Sequence, residues 1–62
     1  MSKKGLYRIK FYDKISQVLT DERVICHYAS QRGFALVLQW AQERLENNEY
    51  VGSISLEGVE KP

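Results

Sequence analysis

"SQRGFALVLQWAQERL", residues 30–45, decides the architecture, because its apolar residues recur at helical spacing. At about 100° per residue, Phe34, Val37, Leu38, Ala41 and Leu45 gather on one side of a helix, within roughly 100° of arc. Gln39, Gln42, Glu43 and Glu46 fall on the opposite side. Ser30 is a good N-cap, its hydroxyl able to accept from the backbone N–H of Arg32 or Gly33. Ala29 and Phe34 occupy the two positions of a hydrophobic staple. Asn47 and Asn48 offer a stop, since asparagine tolerates the left-handed conformation that ends helices. The expected helix runs from Gln31 to Asn47.

Upstream, "LYRIKFYD" (6–13) alternates, with Tyr7, Ile9 and Phe11 on one face and Arg8, Lys10 and Tyr12 on the other. A period of two rich in aromatics signals a half-buried strand. "ERVICHYA" (22–29) alternates too, setting Val24, Cys26 and Tyr28 against Ile25, His27 and Ala29. Both of its faces carry bulk, so periodicity leaves open which one meets the core. Between the two strands, Thr20–Asp21–Glu22 is the turn candidate, and Ile15, Val18 and Leu19 are available to extend either strand of an irregular hairpin. Downstream, "YVGSISLEGVEKP" (50–62) is a third strand, with Tyr50, Ile54 and Leu56 on one face and Ser53, Ser55 and Glu57 on the other, bounded by Gly58 and Pro62.

The expected class is therefore α+β: a three-stranded sheet containing antiparallel pairs, with one helix packed on one face, in the order β-β-α-β. The third strand is expected beside the first, which makes the helix a crossover. Residues 1–5 read as a basic flexible tail and residues 6–60 as a single domain. A chain of 62 residues builds a core of limited net worth, about 3–5 kcal/mol. Three strands also leave two open edges.

Composition excludes several classes. Cys26 is the only cysteine, so neither an intrachain disulfide nor a cysteine zinc site can form, and a reducing, cytoplasmic setting is expected. No signal-peptide-like run and no membrane-spanning run is present. Charge is graded along the chain: residues 1–14 hold Lys3, Lys4, Arg8, Lys10 and Lys14 against Asp13, whereas 43–62 hold Glu43, Glu46, Glu49, Glu57 and Glu60 against Arg44 and Lys61. A gradient of this kind steers charged partners.

Catalytic chemistry finds no constellation. Cys26 and His27 are adjacent, and neighbouring strand residues point to opposite faces, so they cannot act as nucleophile and base. Cys26 is expected as a small buried hydrophobe and His27 at the surface. Glu43 and Glu46 lack the further ligands of a cation site. Gly33 lacks the glycines and lysine of a phosphate loop. The expectation is a protein that is not an enzyme and takes no cofactor or metal.

What is left over is surface. Leu36 and Trp40 fit neither side of the helix; they sit four apart on one flank with Arg44 a turn further on. Either they cover the sheet edge, or they anchor a partner, with Arg44 stacked on the indole. The second candidate surface is Arg8, Lys10 and Tyr12, a basic and aromatic strand face of the sort that tracks phosphates. Partners follow from these surfaces: a protein, a second copy of the chain, or nucleic acid as the weaker alternative, and no membrane.

"HYASQRGFALVLQWA" (27–41) resembles the strand end, cap and helix of short phage proteins of the T7 type that inhibit bacterial RNA polymerase. The likeness covers the order of elements over residues 6–62, and Tyr28, Ala29, Ala35, Leu36 and Trp40 at the level of residues, with a shift in spacing. It implies a compact, non-catalytic protein that docks on a larger host enzyme and modulates it. The family's arginines on the final strand have no counterpart here, where "SISLEGVEKP" offers Glu57 and Glu60 instead.

Overall fold

The computed structural model describes residues 3–59, with β1 (Lys4–Asp13), β2 (Leu19–Tyr28), α1 (Gln31–Glu43) and β3 (Glu49–Val59) in that order. The sheet order is β2-β1-β3, and both outer strands run antiparallel to β1. β2 and β3 are therefore parallel to each other, and parallel strands need a crossover between them. α1 supplies it, as the α+β reading expects.

β1 is central, and its alternation builds the core. Tyr7, Ile9 and Phe11 lie under Val37 and Ala41 of α1, with Ile25, Trp40, Leu45, Val51 and Ile54 packed around them. Tyr7 is enclosed except for a hydroxyl that donates to the carbonyl of Tyr28 at 2.7 Å, so its polar atom is not stranded in the core. Cross-strand partners share a face. The pairing of Tyr7 with Ile25 thus decides the ambiguity in β2 by turning Ile25 and His27 toward the helix. Among the described residues no layer lies over the other sheet face.

Four expectations need correction. β1 begins at Lys4, and Gly5 is buried, so two residues assigned to a flexible tail belong to the sheet; Met1, Ser2, Glu60, Lys61 and Pro62 lie outside the described residues. A Cβ at Gly5 would overlap Leu56 and reach 2.7 Å from the carbonyl oxygen of Gly58, which is why the second residue of the strand is glycine. Second, the hairpin turns at 14–18, and Thr20–Asp21–Glu22 is strand. The cause is Asp13, whose carboxylate accepts the backbone N–H groups of Ile15 and Ser16, both at 2.8 Å. Gln17 takes the left-handed conformation, at φ 63°.

Third, α1 stops at Glu43, with Arg44 as its C-cap donating to the carbonyls of Ala41 and Gln42. Asn48 is left-handed at φ 70°, but it turns the following loop into β3 rather than ending the helix. Its carbonyl accepts the N–H of Lys14 at 2.6 Å, tying that loop to the hairpin. Fourth, Tyr50 does not share a face with Ile54 and Leu56. The β1–β3 register slips between Lys10 and Phe11, so Gly52 is bulged, Val51 takes the core position and Tyr50 pairs with Tyr12 on the bare face. A bulge inverts the parity of everything beyond it. A Cβ at Gly52 would overlap the Tyr12 ring, so glycine is what lets that ring lie across the bulge.

The turn is acid-sensitive. Hydrogen bonds from the N–H groups of Ser16 and then Ile15 hold the Asp13 carboxyl below its ordinary value, and the Arg23 guanidinium followed by the Glu22 N–H does the same for Asp21. A depressed folded value means the stabilisation is complete above the ordinary carboxylate pKa, about 3.9, and disappears as pH falls through the lower folded value. The amide resonances of Ile15 and Ser16 are expected to shift below about pH 4 and to be shifted already at neutral pH in Asp13→Ala. Resonances indifferent to both changes contradict this account of the turn.

Candidate protein-binding surface

The helix flank beside β2 is built from the N-cap onward. The Ser30 hydroxyl accepts the N–H of Gly33 at 3.0 Å and sets where the helix begins. Gly33, Val37 and Ala41, spaced by four, are the buried line of α1. That line fixes the rotation of the helix. Phe34, expected in the core stripe, is displaced to one flank and is substantially exposed, although its ring still meets Tyr7 at 6.3 Å between centroids. Leu36 and Trp40 occupy the other flank.

There they line an apolar depression of about 320 Å³ with Ile25, His27 and Val37. Trp40 packs partly against the core, while Leu36 is 45% exposed. The indole covers the β2 side of the core, and the leucine beside it stays open. The Arg44 guanidinium carbon sits 4.8 Å from the indole centroid, the stacking anticipated from their spacing. Arg44 also borders a polar recess with Asp21, Arg23, Glu46 and Glu49.

Arg8, Lys10 and Tyr12 lie on the opposite, bare face of the sheet, so the two candidate sets do not form one site. Arg8 donates through Nε to Glu57 at 2.8 Å and is ion-paired with Glu22. Those hydrogen bonds, Glu57 first, hold its guanidinium more firmly protonated than usual. The charge is satisfied within the chain. Tyr12 stacks on Tyr50, with centroids 5.9 Å apart, and Lys10 lies between Glu22 of β2 and Ser53 of β3 in register.

Around this polar centre the sequence reading missed an apolar fringe. Leu6, Leu19, Val24 and Tyr28, each close to half exposed, share the bare face with Cys26. Cys26 is thus exposed rather than buried, because its side of β2 has no helix over it. The available signal was the bulk on both faces of β2. His27 points the other way, half-buried, with Nδ1 accepting the N–H of Tyr28 at 2.9 Å. Glu46 lies beyond the end of α1, so it does not share a helical face with Glu43.

Among the described residues no group of three or more His, Cys, Asp or Glu side chains is placed to hold a metal ion, and no helix is long and apolar enough to cross a membrane. No protein-family model, curated protein or solved structure matches the chain, so the reading of its surfaces rests on their geometry and chemistry.

Proposed function

We propose that the chain is a small, non-catalytic protein-binding module, and that Leu36, Trp40 and Arg44 carry the contact. The observation behind this reading is the apolar depression on the α1 flank, bordered by an aromatic–arginine stack. Tryptophan and arginine are the side chains that dominate binding energy at protein interfaces. Arg8 is neutralised by its own carboxylates, which disfavours the alternative of a basic strand tracking nucleic-acid phosphates. The resemblance to polymerase-inhibiting phage proteins makes a larger cytoplasmic host enzyme the expected target, with modulation of the transcription machinery as the activity.

Trp40→Ala tests the surface. The indole is only partly buried, so its loss is expected to cost about 1–2 kcal/mol and leave a folded chain by circular dichroism. Binding to purified bacterial RNA polymerase, the first target to assay, is expected to fall at least about tenfold, as for a hot spot. Unfolding of the isolated variant assigns Trp40 to the core alone. A folded variant that binds as tightly as the wild type removes the flank from the contact.

A further inference from the structure

The two open edges of the sheet are not alike. β3 pairs with β1 through two register slips, at Gly52 and Glu57, and carries Glu49 and Glu57. Bulges and charges of this kind discourage further pairing. β2 pairs with β1 without interruption from Asp21 to Tyr28, and its second half, Val24–Tyr28, has no formal charge, proline or bulge. The N–H of Ala29 reaches the carbonyl of Lys3, which places the β1-bonded groups on the odd residues of β2. Glu22, Val24 and Cys26 therefore point their backbone N–H and C=O groups outward, the Glu22 N–H being taken by the Asp21 carboxylate at 2.8 Å. The apolar depression of Ile25, His27, Leu36, Val37 and Trp40 opens at this same edge.

We infer that the occupant of this edge and of the Leu36–Trp40 flank is a second copy of the chain, paired antiparallel β2 to β2 about a two-fold axis at Val24. The inference rests on the reading of that flank as a protein-binding surface. Outward groups must meet outward groups, which restricts the register to steps that keep Glu22, Val24 and Cys26 in the ladder. Centring on Glu22 or Arg23 sets like charges face to face. Centring on Val24 sets Val24 against itself, Arg23 against Ile25, Glu22 against Cys26, and the Asp21 carboxylate against the His27 imidazole. It also keeps the longest overlap free of like-charge pairs, with about four new backbone hydrogen bonds, since the Glu22 N–H of each copy already donates to its own Asp21 carboxylate.

The axis stands perpendicular to the sheet, so both helices fall on one face with their Leu36–Trp40 flanks opposed. With strands about 4.8 Å apart, the helix axes come to lie about 10–14 Å apart, a gap two indoles and two leucines are the size to fill. The depression that is open in one copy is closed by its counterpart. The same flank cannot serve both occupants at once, so the dimer must part before Leu36 and Trp40 engage a larger enzyme.

Sedimentation of the full chain over a range of concentrations tests the inference, with Val24→Lys and Val24→Pro as variants. The wild type is expected to be dimeric at high micromolar concentration. Val24→Lys places two ammonium groups across the axis, and Val24→Pro removes an outward N–H while sparing the β1 ladder; each is expected to weaken dimerisation at least about tenfold with circular dichroism unchanged. Should the proline variant unfold, the lysine variant decides alone. A nitroxide on Cys26 adds a register test: this pairing sets the two Cys26 Cα atoms about 14 Å apart, against about 5 Å if Cys26 lay on the axis. A monomeric wild type at high micromolar concentration overturns the inference, as does a dimer indifferent to Val24→Lys. Binding of purified RNA polymerase that is lost in Trp40→Ala but kept in Val24→Lys upholds the protein-binding reading even so.

Discussion

Gly33→Ala is expected to leave the chain largely unfolded at 25 °C. Gly33 sits in the first turn of α1, where the helix is pressed on the end of β2. A Cβ there would overlap the carbonyl oxygen of Tyr28 and lie 2.8 Å from its carbonyl carbon. Both are backbone atoms, so no rotamer relieves the clash, and the oxygen is also the acceptor for the Tyr7 hydroxyl. Moving it breaks a partly buried hydrogen bond; moving the helix opens the layer over Val37. Alanine is the better helix former by about 1 kcal/mol, but a backbone clash combined with loss of that bond is worth about 3 kcal/mol or more. That matches the whole net stability expected of such a core, about 3–5 kcal/mol. A urea midpoint that holds or rises in Gly33→Ala refutes the close packing of α1 on β2.

Ile9→Ala carries the second large effect. Ile9 is fully enclosed, in the middle of the central strand, between Arg23 of β2 and Ile54 of β3. Truncating a buried isoleucine costs about 2–5 kcal/mol, because little can collapse into the gap. With so few other enclosed side chains to share the strain, the upper half of that range is expected, and the thermal transition should lose its cooperativity. Leu36→Ala is the paired control: the residue is about as greasy but exposed, and the isolated chain should lose no more than about 0.5 kcal/mol. Equal losses at the two sites contradict the layer arrangement described above.

The same contrast shows which features local sequence can carry. Alternation in Tyr7, Ile9 and Phe11 identified the core face of β1 because a strand buried on one side must bury every second residue. The helix start was legible from Ser30, since a cap is a hydrogen bond between residues three apart. Its end was not. Asn47 and Asn48 are competent to stop a helix, yet the chain turned at Arg44 so that Leu45 could pack on the core and the following loop could reach the hairpin. Gly33 read as an unremarkable helical glycine, because its reason is a carbonyl of another element. The candidate surface was half legible: the four-residue spacing brought Leu36, Trp40 and Arg44 together, but the lining from Ile25 and His27 and the pairing of Arg8 with Glu57 depend on residues distant in the chain.

Sequence alone determined the class and order of the elements, the central strand's buried face, the helix cap and the arginine–indole stack. Each of these follows from side chains within about four residues of one another. Tertiary structure decided which face of β2 turns inward, that Tyr50 crosses to the bare face, that Cys26 is exposed, and that the β3 edge is bulged twice while β2 pairs without a break from Asp21 to Tyr28. Period-two patterning separates two faces without saying which will be covered, and a single bulged residue exchanges them, so those outcomes belong to the neighbouring strands and the one helix above them.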